Sequence, residues 1–414
     1  MSSGVFDLYR RHLGEGLGRV AAMLHTPLEV GATGAVVHTA DGRQLLNCAG
    51  YGVFFVGAGN PTVLAAVRDQ LERQALSTRV LLNEPAARAA EALTSVAPDG
   101  LVKVHFSNSG AEAVETAIKI ARANGRHRLV SMHSGYHGKT VGALSLTARS
   151  LYQDPFRPLL PDVTHVGFGD LDELTAVVDR DVCVVVEPVQ SEGGVIIPEP
   201  GYLKAVEALC RDRGAMLVLD EVMTGLGRLG TWWGADRDGV RPDVLLVGKA
   251  LSGGLVPVAA TLATEEAFSP FDKDPYLHTS TFSANPLASA AVRATVEVIR
   301  EEKLVDRAAE LGTRLLAALT EATVRSIGHL VADVRGAGLL IGVEFRSGLH
   351  AAEFLMDLLD NDVVVNHSMN AHPVLRLTPP ATMTPDEEAR LVASFGRACA
   401  ALAARFPPGS DSAA

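Results

Sequence analysis

Residues 216–254 read MLVLDEVMTGLGRLGTWWGADRDGVRPDVLLVGKALSGG. Two apolar, β-branched runs, Met216–Leu219 and Val244–Val247, bracket a glycine-rich loop. Each run ends on polar chemistry: Asp220 and Glu221 after the first, Gly248 and Lys249 after the second. Continuous apolar runs this short suit strands buried on both faces of a sheet.

The same grammar extends outward in both directions. Val182–Val186 (VCVVV) is followed by Glu187, and Val102–Phe106 (VKVHF) by Ser107, Asn108, Ser109 and Gly110. Arg128–Met132 and Val258–Leu262 read as further strands. Between them lie helical patterns, Ala111–Arg122 (AEAVETAIKIAR) and Gly201–Arg213. Strand and helix in alternation predict an α/β fold with a mainly parallel sheet wrapped by helices. Pro286 to about Leu319 reads as one long helix, and Gly338–Phe345, Asp362–Asn366 and Val374–Leu377 as later strands. With strand candidates near Val36 and Leu45, the two chain ends are expected to build a smaller α+β lobe. The expected division is 1–50 for the first part of that lobe, 51–305 for the large domain and 306–406 for the rest of the lobe. A disordered tail, PPGSDSAA, is expected over 407–414.

Composition excludes several roles. The 414 residues carry 37 basic and 48 acidic side chains, a net −11, so no basic excess favours nucleic acid. Gln44–Val67 is uncharged but broken by Asn47, Gly57, Asn60 and Pro61, so no membrane span is expected. The start, MSSGVFDLYRR, lacks the features of a secretory signal. Cys48, Cys183, Cys210 and Cys399 show no metal-ligand or redox spacing, and buried thiols in a cytoplasmic protein are expected. No metal site is expected either: His133 and His137 have Gly135 between them and no third ligand.

In an open parallel sheet, ligands gather beyond the carboxyl ends of the strands. Here those ends carry Glu187, Asp220, Lys249 and the small-residue helix start Ser109-Gly110-Ala111. A helix start favours an anion such as phosphate, although serine before a helix is more commonly an ordinary cap with no ligand. Lys249 is one of seven lysines and lies between an apolar strand and small residues. A desolvated lysine can act as amine nucleophile and proton carrier, or it can simply snorkel out. A buried aspartate needs a cationic donor, for which a protonated pyridine nitrogen serves as well as a salt bridge. Tyr136, in HSGYHGKT, offers a flat face for an aromatic ring. Phosphate cradle, aromatic plate, aspartate and buried lysine are together what pyridoxal 5'-phosphate requires.

The sequence resembles the class III (ω-) aminotransferases, of fold type I among pyridoxal phosphate enzymes. It looks most similar to the ornithine, acetylornithine and putrescine aminotransferase branch. The resemblance runs from about Tyr51 to Pro380 through FSNSGAEAVETAIK, GYHGKT, EPVQSEGGVIIP, LVLDEVMTGLGRLG, PDVLLVGKALSGG, TSTFSANPLA and LRLTPP. It implies a homodimeric enzyme that passes an amino group from a primary, terminal amine or ω-amino acid to a 2-oxo acid by a ping-pong route. Lys249, Asp220 and Tyr136 would be the catalytic set. Lys249 would hold the cofactor aldehyde and carry the proton, and Asp220 would pair with the ring nitrogen. Ser109, Gly110 and Ala111 would hold the phosphate, joined by Thr281 from the partner subunit. Tyr136 would stack on the ring with Val222 behind it, and His137, Glu187 and Met223 would complete the cofactor site. Arg376 would clamp the acceptor carboxylate, and Glu192 would pair with Arg376 when an amine without a carboxylate enters. Tyr51 and Lys139 would meet the far end of the donor.

Three positions depart from that branch. Met223 stands where glutamine is usual, Ser191 replaces a glycine, and Ala284 replaces another. The last two are expected to crowd the site. DEVMTG also resembles the aminomutase members of the family, so an aminomutase, epimerase or decarboxylase of the same fold is the alternative.

Overall fold

The computed structural model describes residues 3–23 and 26–409. Seven strands form the central sheet: β1 (Leu101–Ser107), β2 (Arg128–Met132), β3 (Val163–Val166), β4 (Val182–Val186), β5 (Met216–Asp220), β6 (Val244–Val247) and β7 (Ala259–Thr264). Their order is β1-β7-β6-β5-β4-β2-β3. The pairs β2–β3, β2–β4, β4–β5 and β5–β6 are parallel. β7 is antiparallel to both β1 and β6, so those two point the same way. Every strand but β7 therefore ends on one edge of the sheet. Every residue of β4, β5 and β6 is buried, as strands covered on both faces must be.

Helix α1 (Gly110–Ala123) starts directly after β1. Its cap is Ser109, whose Oγ accepts the Glu112 N–H at 3.2 Å. Helix α2 (Tyr202–Arg213) leads into β5. The single helix expected from Pro286 is instead two, α3 (Pro286–Glu301) and α4 (Leu304–Ile327). Lys303 between them has φ +52°, a left-handed turn that an unbroken helix cannot contain. Strand β3 escaped the sequence reading because VTHV has two polar residues and little apolar weight.

Two smaller sheets complete the chain. Glu29–Thr33, Val36–Thr39 and Gln44–Asn47 form one, and Val363–Val364 joins it parallel to Gln44–Asn47. Val331–Ala337, Leu340–Phe345, Ala371–Leu377 and Asn366–Ser368 form the other, all antiparallel. The strand expected at Asp362–Asn366 thus divides between two sheets at Val365. Of the tail expected at 407–414, residues 410–414 lie outside the described residues. Among the described residues no helix is long and apolar enough to cross a membrane.

Candidate active site

A cavity of about 540 Å³ opens at the edge where the strands end. Its wall includes Ser109, Gly110 and Ala111 after β1, Tyr136, His137 and Lys139 after β2, and Glu187 and Glu192 after β4. Asp220 at the end of β5, Val222 and Met223 beyond it, and Lys249 after β6 complete the predicted set on that wall. Asp220 and Glu221 are adjacent but part company, because successive strand residues point to opposite faces. Glu221 turns away and accepts from Thr224 Oγ1 (2.6 Å) and from the Gly234 and Ala235 N–H groups (both 2.8 Å).

Asp220 is held on both oxygens. His137 Nδ1 donates to Oδ2 at 2.7 Å, and the Val222 N–H donates to Oδ1 at 3.1 Å. Burial opposes a charge on His137. The bond to Asp220 and the charges of Asp220 and Glu187 outweigh it and raise its pKa. The His137 N–H bonds Thr147 Oγ1 at 2.9 Å, which fixes the ring's backbone. Glu187 accepts the Tyr136 N–H at 3.0 Å, and burial pushes its carboxyl up to about 7. Burial, with Glu192 next, pushes the Tyr136 phenol up to about 12, so the ring is neutral.

Lys249 sits in left-handed backbone at φ +44°. Burial lowers the pKa of its ammonium against the pull of Glu192, Asp220 and Glu187, with Arg376 adding to the lowering. A buried lysine of lowered pKa is the form that attacks carbonyl carbon. Gly110 explains a second detail of the wall. A Cβ there would lie 2.9 Å from Val222 Cγ1, so only glycine lets the helix start and this side chain meet.

Arg376 does not line the cavity. It lies wholly buried on Ala371–Leu377, behind Glu192 and Ser191, which do line it. Its Nη1 is 2.7 Å from Glu192 Oε1 and donates to Ser191 Oγ at 2.9 Å. Its Nε and Nη2 are buried without a hydrogen-bond partner among the described residues.

Tyr51 and Thr281 also stand off the cavity wall. Tyr51 is exposed at φ +50°, with its N–H on Asn366 Oδ1 at 3.2 Å. Thr281 is exposed on a segment held by Arg79, which donates to the Ser280 and Ser283 carbonyls. Lys139 is exposed at the cavity margin, its Nζ 4.1 Å from the Tyr152 ring centroid. Ala284 is at φ +52° immediately before the α3 cap and off this wall. Met223 is buried, its Sδ 2.6 Å from where a Cβ at Gly52 would be.

The sequence reading missed Arg228. This fully buried guanidinium donates to the carbonyls of Leu339 (3.2 Å), Pro379 (2.7 Å) and Gly52 (3.2 Å), tying three segments behind the cavity. Burial drops its pKa to about 9, with nearby Arg376 adding to the effect. A lone charge within TGLGRLG was the available signal, because a cation among small and apolar residues must find acceptors.

Residues 22–399 match the family described as Aminotransferase class-III. The ornithine aminotransferase from Toxoplasma gondii is 30% identical, with a TM-score of 0.90 over 98% of this chain and 96% of that one. Its structure is described as having partial occupancy of PLP at the active site. The ω-transaminase from Pseudomonas jessenii, in complex with PMP, is 25% identical with a TM-score of 0.86 over 95% and 96%. A Bacillus anthracis aminotransferase is 27% identical with a TM-score of 0.83 over 90% and 93%. The chain belongs to the class III aminotransferases. It is an enzyme that depends on pyridoxal phosphate.

The residues present fit that cofactor. The Lys249 amine faces the cavity with no ion-pair or hydrogen-bond partner among the described residues. The first N–H groups of α1 have no acceptor within the helix, and they border the same cavity. The Asp220 carboxylate, paired with His137, and a neutral aromatic ring complete the wall.

Proposed function

We propose that this enzyme moves an amino group from a primary, terminal amine or ω-amino acid to a 2-oxo acid in a ping-pong cycle. The observation that carries the reading is the buried Arg376–Glu192 pair beside Lys249. A guanidinium suits a carboxylate, and an acid that can neutralise it suits a substrate end without one. One pocket can then serve two substrates in turn.

Pyridoxal phosphate, when bound, supplies an electron sink for negative charge developing at the substrate carbon that bears nitrogen. Lys249 would hold it and move the proton through Nζ, since burial favours its neutral amine. Asp220 would keep the ring nitrogen protonated, and His137 keeps Asp220 in place. Ser109, Gly110 and Ala111 would take the phosphate at the start of α1. Tyr136 would cover one ring face and Val222 the other. Lys139 and Tyr51 would meet the far end of the donor.

A homodimer belongs to the same reading, with Thr281 completing the partner's phosphate site. Its support is an exposed apolar surface around Thr281: Val80, Leu81, Leu82, Tyr276 and Phe282. Arg79 ties the two segments together through Ser283 at 3.1 Å. A cytoplasmic setting fits the four cysteines, all of them free and buried.

Met223 favours the second reading, an isomerase or decarboxylase, because a thioether cannot donate the hydrogen bond that glutamine would. One assay separates the two. An added amine should bleach the visible absorbance of the holoenzyme, and a keto acid should restore it. Turnover of an amine without any keto acid, or release of carbon dioxide, would reject the transferase reading.

A further inference from the structure

We infer that Ser191 is a positioning residue for the keto-acid carboxylate: its hydroxyl keeps the Arg376 guanidinium in place when Glu192 lets go. This rests on the reading of Arg376 as the carboxylate clamp.

Nη1 of a guanidinium carries two hydrogens. Here it meets two acceptors, Glu192 Oε1 at 2.7 Å and Ser191 Oγ at 2.9 Å. The other two nitrogens of Arg376 have no partner among the described residues. Ser191 is thus the one neutral side chain among the described residues that fixes the fork.

Both acceptors are mounted on anchored backbone, and they differ in charge. The Ser191 backbone is tied on both sides: its N–H donates to Glu187 Oε2 at 3.4 Å, and its carbonyl accepts from Ser368 Oγ at 3.3 Å. Ser368 lies on Asn366–Ser368, the strand paired with the Arg376 strand. The hydroxyl therefore rides on backbone anchored to the cavity acid and to the sheet of Arg376 itself. Glu192 is anchored as well, its carbonyl accepting the Asn370 N–H and its second oxygen the Met369 N–H, both at 2.9 Å, but it is the charged partner that an incoming carboxylate must displace.

When a keto acid enters, its carboxylate must replace Glu192 at Arg376. At that moment Ser191 is the remaining side-chain contact of the guanidinium. Being neutral, it does not compete for charge with the incoming anion. With glycine there, the fork would have to be ordered at the expense of binding. A latch that served only the Glu192-paired state would act in the opposite sense and weaken keto-acid binding.

The test uses holoenzyme carrying Ser191→Ala, Ser191→Gly, Ser191→Thr or Arg376→Lys. Steady-state KM for pyruvate and 2-oxoglutarate is measured, with calorimetric binding of maleate as a non-reacting carboxylate probe. In Ser191→Ala and Ser191→Gly, KM and the maleate Kd should rise about 10-fold, the scale of one hydrogen bond to a charged group. The limiting rate should change by less than about 3-fold, and threonine should restore binding. A KM that falls or stays put in Ser191→Ala, while Arg376→Lys raises it, overturns the role of Ser191. A lowered Tm and kcat with KM unmoved would also overturn it, because the residue would then be merely structural. If Arg376→Lys itself leaves the keto-acid KM unchanged, the clamp reading fails first.

Discussion

Glu192 Oε1 lies 2.7 Å from Arg376 Nη1, and both side chains are almost wholly removed from water. Such a pair adds little net stability, because desolvation offsets its attraction. Breaking it is another matter, since the survivor keeps a buried charge. Arg376→Ala should therefore cost about 3–5 kcal/mol in urea unfolding and raise the keto-acid KM. Glu192→Gln should leave Arg376 free for carboxylates. Its keto-acid KM should fall while KM for amines lacking a carboxylate rises. Parallel shifts in both substrates would show that Glu192 does not gate the pocket.

Lys249 has a sharper test, because the role proposed for it is covalent. Borohydride reduction of holoenzyme followed by peptide mapping should find the cofactor on Lys249 alone. Lys249→Ala should lose about 10²–10⁴-fold in turnover, the usual worth of a positioned acid–base group. A label on another lysine, or full turnover in the variant, would refute the assignment.

The His137–Asp220 bond carries a pH signature. The folded state raises the His137 pKa above its ordinary 6.5, against burial and through Asp220 and Glu187. A base whose pKa rises on folding stabilises the fold fully below the unfolded value. That stability is lost as pH climbs through the folded pKa. The stability difference between wild type and His137→Gln should thus be largest near pH 6 and shrink toward pH 9. Chemical denaturation of both proteins across that range checks it, and a difference that grows with pH would contradict the ion pair.

How much of this was legible in the sequence depends on what kind of signal each residue gives. β4, β5 and β6 were readable because full burial on both faces leaves apolar letters in all but the last residue of β5, Asp220. The first charged residue at or just after each strand end then located Glu187, Asp220 and Lys249 without any contact information. β3 was not readable, since only Val166 in it is buried and half its residues are polar. The break at Lys303 was hidden for a different reason: glutamate and lysine are good helix formers, and only the backbone reversal shows the end. The bond from Ser191 to Arg376 spans 185 positions, and no local pattern encodes such a partner. Arg376 and Glu192 were placed by family resemblance, whereas the burial of Arg376 behind the cavity wall shows only in the fold.

The start of α1 offers the last prediction. Gly110 has no room for a side chain, because its Cβ would stand 2.9 Å from Val222 Cγ1 and 3.2 Å from Cγ2. Both atoms belong to a valine whose N–H is bound to Asp220 Oδ1 at 3.1 Å, so the strain of Gly110→Ala would reach the carboxylate as well as the helix start. Apoenzyme with Gly110→Ala should bind pyridoxal phosphate about 10-fold more weakly or worse, read by fluorescence or absorbance titration. Overpacking of this kind costs about 1–3 kcal/mol, which sets that scale. Trimming the obstacle should relieve it: Gly110→Ala with Val222→Ala should recover affinity relative to Gly110→Ala alone. If the double variant binds no better, the defect lies in the helix backbone and not in the contact with Val222.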